Sequence, residues 1–202
     1  MYLPVKNRVD DPSVHWKFIE SYPFGTMLTE EEGQIETAHL PFLPDFCKES
    51  QKKILVCHTA RANQIWRHAN NRKPVKVLFQ GPHAYISPRW FQPKSDNVPT
   101  WNYCVVHVTG SIEIVRDENL AFENMQRLVA HFDPTWQLAL TPDDRKSLLN
   151  QIVIMKIFPS EIVAKFKLSQ NTDDIDRNNV IKELSQSSQE NDRRIAEFMQ
   201  KF

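Results

Sequence analysis

Glycine and cysteine are scarce in this 202-residue chain, and their scarcity excludes several kinds of site. There are only 4 glycines, and neither G-x-G-x-x-G nor G-x-x-x-x-G-K occurs. The glycine-rich phosphate loops of Rossmann and P-loop proteins are therefore excluded. The 3 cysteines, Cys47, Cys57 and Cys104, are odd in number and lack C-x-x-C spacing. This argues against both a disulfide framework and a zinc knuckle.

Excess charge, an apolar N-terminal stretch and long apolar runs are lacking as well. Lys and Arg total 25, and so do Asp and Glu, so no net positive charge favours non-specific polyanion binding. The N-terminal stretch has no apolar signal region, and no run approaches the roughly 18 apolar residues of a membrane span. These features predict a cytoplasmic protein with no membrane contact.

Apolar patterns and turn residues predict about eight short strands with peripheral helices. Strands are expected at 24–29, 34–42, 54–59, 75–80, 83–87, 101–115 (interrupted at Gly110), 152–158 and 162–168. Helices are expected at 10–22, 63–68 and 117–132, after Thr141, and at 175–184 and 192–201. Gly81-Pro82 and Pro159-Ser160 are expected to separate two pairs of strands. Regular strand–helix alternation is missing. We therefore expect a mainly β fold with peripheral helices, a closed antiparallel barrel over 1–172 carrying a helical extension over 173–202.

The first of three segments with unusual chemistry is HTARANQIW, from His58 to Trp66, at a predicted strand-to-helix turn. It combines imidazole, hydroxyl, guanidinium and amide groups with the unpaired N–H groups of a helix start, a combination that suits an anion. The alternative is an ordinary helix cap with Arg61 in a surface ion pair. Spacing alone favours the alternative.

The second segment, from Phe79 to Tyr103, interleaves aromatic residues with four prolines. Rigid aromatic walls suit a flat conjugated ligand, although a proline-stiffened loop packed on the barrel fits the pattern equally well. In the third segment, alternation places Lys165, Lys167 and Ser169 on one face of the last strand. That face could contact a phosphate, but the pattern alone favours a solvated edge strand kept lysine-rich against aggregation.

Metal and hydrolase sites have little support. Four histidines fall on predicted strands without H-x-H or H-E-x-x-H spacing, and no G-x-S-x-G motif is present. We expect no metal site and assign no catalytic residue. His83 or His107 could donate a proton or bind haem, but each is more readily explained as an ordinary barrel histidine.

Six motifs occur in the order found in one protein family: MYLP, ETAHLPFLP at 36–44, HTARANQIW at 58–66, FQGPHAYISPRWF at 79–91, VPTWNY at 98–103 and KFKLSQN at 165–171. From Met1 to at least Val180 the chain resembles the PaiB family, described as FMN-binding negative transcriptional regulators. Two positions depart from the pattern. Ala164 stands where a glycine is frequent, and Phe91 where tyrosine is common, which removes a hydroxyl near the ligand.

The resemblance implies an FMN-binding split β-barrel related to pyridoxamine-phosphate oxidases and flavin reductases, usually a homodimer with flavin sites between subunits. It implies that the phosphate is bound by groups on the second and third strands and the following turn: Thr37, His39, His58, Thr59, Arg61 and Asn63. We expect Arg61 to carry most of the phosphate interaction. The ring is expected near Tyr85, Trp101 and Asn102, with Lys94 and Lys167 as further candidates.

Two function classes follow from the resemblance. In the first, the protein is a flavin-binding regulator that lowers the expression of target genes. Residues 161–202 contain seven basic and eight acidic residues, so DNA would be contacted by local basic spots of a dimer or through a partner protein. In the second, it is an FMN-dependent oxidoreductase akin to enzymes that oxidise amines, reduce flavins or degrade haem. The flavin would then supply the redox chemistry, so the lack of a catalytic motif does not exclude this class.

Overall fold

The computed structural model describes residues 1–69, 73–93, 98–136 and 139–202. Its strands are β1 (Arg8–Val9), β2 (Phe24–Glu31), β3 (Gln34–Pro41), β4 (Leu43–Cys47), β5 (Lys52–Ala60), β6 (Val75–Ile86), β7 (Thr100–Ile114) and β8 (Ile152–Lys167). They form one mostly antiparallel sheet in the order β3-β2-β6-β7-β8-β5-β4, with β1 beside β8. The helices are α1 (Pro12–Ser21), α2 (Ile65–Ala69), α3 (Glu118–Phe132), α4 (Pro142–Gln151), α5 (Asp174–Ser185) and α6 (Glu190–Lys201).

The chain divides into two compact units. Unit 1 comprises Met1–His15, Gln80–Val106 and Val163–Phe202, and unit 2 comprises Trp16–Phe79 and His107–Ile162. Strands β6, β7 and β8 each contain a boundary between the two units. Helices α5 and α6 belong to unit 1 together with the end of β8, while the division into 1–172 and 173–202 stays a prediction.

The hairpin of β2 and β3 forms where the sequence predicts it. Its ladder runs from Phe24 opposite Pro41 to Glu31 opposite Gln34. The two turn residues, Glu32 and Gly33, both have positive φ, at 50° and 80°. A two-residue turn of this kind matches the right-handed twist of the paired strands, and glycine adopts it without steric cost.

Two predicted strand breaks are wrong, because β6 continues through Gly81-Pro82 and β8 through Pro159-Ser160. Proline interrupts a strand only where a neighbouring strand needs its N–H group. The ladder from β2 reaches β6 only at residues 76–78, and β8 pairs with β5 over 152–157 and with β1 at 164–165. Pro82 lies beyond the β2 ladder and Pro159 lies between the β5 and β1 ladders, so none of these three neighbouring strands requires the N–H group that proline lacks. The short strands β1 and β4 were not predicted, and a proline also marks β4 as an unfavourable strand sequence.

The predicted interruption at Gly110 is also absent, since β7 runs through it. Glycine is required here because no side chain fits. A Cβ at this position would lie 2.4 Å from the backbone oxygen of Phe158. The main chains of β7 and β8 therefore approach closely at this point.

One hydrophobic cluster of unit 2 lies between β4, β5 and β8 and the helices α3 and α4. The predicted period of α3 is present, with Ala121, Met125 and Leu128 buried, although Phe132 at its end is exposed. Thr141 caps α4, as its spacing from Asp144 predicts.

The core of unit 1 includes the terminal helices. Val180 and Leu184 of α5 and Ile195 of α6 are fully buried. The ring of Phe166 on β8 meets those of Phe198 and Phe202 edge to face. Among the helices in the described ranges, none combines the length and apolar content needed to cross a membrane.

Candidate functional site

The turn between β5 and α2 in unit 2 is fixed by its own hydrogen bonds. Oδ1 of Asn63 accepts a bond of 3.0 Å from the N–H of Ile65 and so caps α2. Arg61 donates from Nε to the carbonyl oxygen of Asn150 at 2.7 Å, and from Nη2 to those of Leu149 and Ile152 at 3.1 and 2.8 Å. These are carbonyls at the end of α4, where a helix leaves such groups without internal partners. The helix cap expected for this turn is present, but the backbone of α4 takes the place of the expected ion pair of Arg61.

Beside this turn lies a cleft of about 270 Å³, which we call the corner cleft. Arg61 and Arg116 contribute positive charge to its lining and Glu118 negative charge, while Trp66 supplies an aromatic wall. The indole N–H of Trp66 donates to the backbone oxygen of Arg61 at 2.9 Å, which holds the ring in place. Arg116 was not singled out from the sequence, because it lies about fifty residues beyond the motif and carries no local pattern.

The remaining predicted phosphate residues lie on β3 and β5. Thr37 is exposed, and Nδ1 of His39 shares a hydrogen bond of 2.9 Å with Oγ1 of Thr26. Thr59 is buried. His58 is half-buried, and its Nδ1 has no partner among the described residues. Burial lowers the pKa of His58, because it disfavours the charged imidazolium.

In unit 1, three aromatic side chains on β6 and β7 lie close together and form what we call the aromatic group: His83, Tyr85 and Trp101. The ring of Trp101 lies 6.0 Å from that of Tyr85, edge to face, and 6.1 Å from that of His83. Trp101 is 53% exposed and Tyr85 45% exposed. Along β7 the alternation predicted from the sequence is present, with Asn102 and Cys104 buried. Exposed rings held in fixed positions can stack on a flat molecule. Lys94 lies outside the described residues.

The side chains of Asn102 and Lys167 form hydrogen bonds that connect β7 with the end of β8. Asn102 is fully buried and donates from Nδ2 to Oγ of Ser169 at 2.9 Å. Nζ of Lys167 donates to Oγ1 of Thr100 and to the backbone oxygen of Trp101, both at 2.6 Å. These bonds fix the backbone from which the Trp101 ring projects.

A second cleft, of about 740 Å³, lies entirely within unit 1, and we call it the lysine cleft. Its lining combines three lysines, four aromatic residues and several uncharged polar groups: Tyr2, Pro4, Lys6, Asn7, Phe91, Val98, Pro99, Thr100, Trp101, Tyr103, Lys165, Lys167, Ser169, Asn171 and Thr172. The ammonium group of Lys165 donates to the backbone oxygen of Tyr2 at 3.1 Å. It also lies 5.5 Å from the ring centre of Tyr2 and 5.3 Å from that of Tyr103.

The prediction that Lys165 and Lys167 lie on a solvated edge strand is wrong. Strand β8 lies between β7 and β5 in the sheet, and β1 pairs with it directly at Lys165. Lys165 is only 7% exposed. Burial lowers the pKa of Lys167, and the positive charges of Lys165 and Lys6 lower it further. The sequence pattern failed here because alternation is the same in an edge strand and in an interior one.

In the described ranges, no group of three His, Cys, Asp or Glu side chains converges as a metal site requires. The corner cleft presents guanidinium groups and an indole, and the lysine cleft presents ammonium groups between aromatic rings. Both can bind anions and stack on flat rings.

Comparison with known proteins gives consistent results. Residues 1–160 match a family profile described as "Putative FMN-binding domain". The chain is 36% identical over 204 residues to the "Protease synthase and sporulation protein PAI 2" of Bacillus subtilis, covering 99% of this chain and 97% of that protein. The flavocytochrome Anf3 from Azotobacter vinelandii matches with a TM-score of 0.65, at 12% identity, over 85% of this chain and 74% of its own. The FAD and heme binding protein from Mycobacterium smegmatis has the same TM-score, at 13% identity, over 85% and 78%. At such identities the structural likeness shows the fold alone, which is the split barrel expected from the sequence.

Proposed function

The chain belongs to the PaiB family of FMN-binding proteins, and from that premise we propose that it is a flavin-binding negative regulator of transcription. The observation that carries the proposal is the match over nearly the whole chain to a protein named for protease synthesis and sporulation. We extend to this chain a role in lowering the expression of its target genes. All three cysteines are buried free thiols, which fits a reducing cytoplasm.

The corner cleft supports a phosphate-binding role for unit 2. The guanidinium of Arg61 is held rigidly by three carbonyls, so its positive charge is presented to the cleft without further loss of side-chain freedom. Arg116 adds a second positive charge. We propose that Arg61 and Arg116 attract the phosphate of FMN, with Thr59 and Asn63 beside them.

The aromatic group supports a ring-binding role for unit 1. Tyr85 and Trp101 present exposed rings, and the bonds of Asn102 and Lys167 hold the backbone beneath Trp101. We propose that Trp101 and Tyr85 pack against the isoalloxazine ring. When bound, FMN supplies a redox-active ring, while these side chains orient it and exclude water.

A homodimer fits the surface of β7. Trp101 is exposed and Tyr103 and Val105 are half-buried on one face of this strand, an apolar strip of the kind that a partner subunit covers. We propose that the flavin sites lie at the contact between two copies of the chain.

Contact with DNA is better explained by the dimer or by a partner protein than by the terminal helices. The connector between α5 and α6 is four residues long, Gln186 to Gln189, and so allows a helix–turn–helix. On α6, however, Arg194 pairs with Glu190 and Glu197, at 3.7 and 3.2 Å. Because these two carboxylates offset the charge of Arg194, this part of α6 offers little attraction for phosphates.

A fluorescence titration with FMN tests the cofactor assignment. Arg61→Ala is expected to weaken FMN binding roughly ten- to a hundredfold, the effect of losing a charge-assisted bond. Because Arg61 also stabilises the end of α4, Arg116→Gln serves as a second variant, since no described residue accepts a hydrogen bond from Arg116. Arg194→Ala on α6 is the matched control. Wild-type affinity in both cleft variants would show that the phosphate binds elsewhere.

The regulatory role is tested in cells and with DNA. Deletion of the gene is expected to raise transcripts of its targets, and the wild-type gene but not a Trp101→Ala gene should restore repression. Binding to the responsive promoter, alone or with a partner, should fall steeply with salt. Unchanged transcripts combined with rapid bleaching of the flavin by NADH or NADPH would instead favour the oxidoreductase.

A further inference from the structure

The lysine cleft borders the side chain that we assign to the flavin ring, and its described lining does not offset its positive charge. Trp101 lines the cleft, and so do Lys6, Lys165 and Lys167. The described part of this lining contains neither Asp nor Glu. The ion pairs formed among the described residues involve none of the three lysines. A ring packed on the cleft side of Trp101 therefore meets positive charge that no carboxylate of the described lining balances.

Two of the ammonium groups are held in place before any ligand binds. Nζ of Lys167 donates to the backbone oxygen of Trp101 and to Oγ1 of Thr100, so its charge is fixed with respect to the backbone that carries the Trp101 ring. Nζ of Lys165 donates to the backbone oxygen of Tyr2 and lies between two aromatic rings. Charges positioned in advance act on a ligand without further loss of side-chain freedom.

The same ammonium groups can accommodate a negative charge. An ammonium has three N–H donors. To the described residues Lys165 donates one hydrogen bond and Lys167 donates two, so each retains a donor for an acceptor in the cleft. Burial lowers the pKa of Lys167, and the charges of Lys165 and Lys6 lower it further. A nearby anion would relieve this repulsion.

Free FMN acquires such a charge on its ring when it is reduced. The oxidised ring is neutral at neutral pH, whereas uptake of two electrons and one proton leaves the reduced ring with one negative charge, centred on N1 and the adjacent carbonyl oxygen. Positive charge beside the ring therefore stabilises reduced FMN more than oxidised FMN. The phosphate is the same in both forms and does not contribute to this difference.

We propose that the ammonium groups of the lysine cleft give this protein a preference for reduced over oxidised FMN. The inference rests on the proposed flavin-binding function and adds to it the redox state of the ligand. In a regulator, this preference makes the fraction of protein that carries flavin depend on the supply of reduced flavin.

The midpoint potential of bound FMN, compared with that of free FMN at the same pH, provides the test, because the difference reports the ratio of the two dissociation constants. Equilibration of the full chain with a reference dye under anaerobic conditions measures it. One contact with a charged group is worth roughly a tenfold or greater change in affinity. We therefore expect reduced FMN to bind about tenfold more tightly or better, which raises the midpoint potential of this two-electron couple by about 30 mV or more.

Lysine variants assign the preference to the cleft. Lys167→Met should lower the preference roughly tenfold, equivalent to a fall of about 30 mV in the midpoint potential. Lys6→Met, at an exposed position where no fold defect is expected, should lower the preference severalfold. Lys182→Met, an exposed lysine of α5, is the matched control and should retain the potential of the parent.

Separate titrations with oxidised and with reduced FMN distinguish failure of this inference from failure of the cofactor assignment. Equal affinities for the two forms, or tighter binding of oxidised FMN, would overturn the inference and leave FMN as the ligand. Lysine variants that weaken both forms by the same factor would overturn it too, because the lysines would then contact the phosphate. Failure of the parent protein to bind either form would overturn the inference together with the proposed flavin-binding function.

Discussion

Replacing Gly110 with alanine tests the close approach of β7 and β8 within unit 2. The new Cβ would lie 2.4 Å from the oxygen of Phe158, 2.9 Å from its carbonyl carbon and 3.0 Å from Cα of Pro159. All three are backbone atoms of an interior strand, so no change of rotamer can relieve the overlap. One of the two strands would have to move.

Whether Gly110→Ala lowers or raises the free energy of unfolding depends on this contact alone. Gly110 does not have a left-handed backbone, unlike Gly33. At such a position alanine would otherwise stabilise the protein by about 0.4–1 kcal/mol, because it restricts the unfolded chain. Overpacking costs about 1–3 kcal/mol, and more where the surroundings cannot yield. We therefore expect a loss of about 3 kcal/mol in the free energy of unfolding. This corresponds to a fall in Tm of roughly 6–12 °C for a chain of this size.

Urea unfolding followed by circular dichroism measures this loss, with Gly33→Ala as the matched control. No atom lies within 4 Å of a Cβ at Gly33, but its φ of +80° is unfavourable for alanine. The control should lose about 1–2 kcal/mol from backbone strain alone. If Gly110→Ala were as stable as the parent or more so, the close approach of the two strands would be refuted.

Three further predictions concern titration and buried polar contacts. Burial raises the pKa of Asp45, but bonds from Arg127 and the backbone outweigh it and leave the pKa lowered. The stabilisation that the Asp45 carboxylate gives the folded protein is therefore complete above the ordinary carboxyl pKa, and it is lost as pH falls through the lowered pKa. The difference in unfolding free energy between the parent and Asp45→Asn should shrink on acidification, and a constant difference would contradict this. Because burial lowers the pKa of His58, the unfolded chain takes up a proton first, so stability should fall as pH drops below the ordinary imidazole pKa. A profile of Tm against pH should be flatter for His58→Asn, and an unchanged slope would count against it. Asn102→Ala and Ser169→Ala should each cost about 1–3 kcal/mol in urea unfolding, with coupling of roughly 1 kcal/mol. Strict additivity would exclude the buried bond.

Local signals in the sequence predicted much of the fold. The cap at Thr141, the period of α3 and the β2–β3 hairpin depend on residues within a few positions of one another, and all are present. The errors at Pro82 and Pro159 have a different cause. Whether a proline ends a strand depends on what the neighbouring strands require, and this is decided by distant parts of the chain.

The candidate site shows the same difference between features set by nearby residues and features set by distant parts of the chain. The motif around Arg61 was recognisable, but its partners are carbonyls almost ninety residues further along the chain. Alternation placed Lys165 and Lys167 on one face, yet could not show that their strand is interior. The chemistry of each residue was therefore predictable from its type and spacing, whereas its surroundings depended on the sheet order.

Continuity of β6, β7 and β8 across the boundaries of the units limits how this protein can be re-engineered. The boundaries fall after residues 79, 106 and 162, each inside a strand. Split reporters or chimeras joined at those points would sever ladders on either side. Insertion of a foreign sequence is better tolerated at an exposed loop tip, and the Glu32-Gly33 turn, with open space around the glycine, is such a tip. A biosensor built on this scaffold would carry its fluorescent module there.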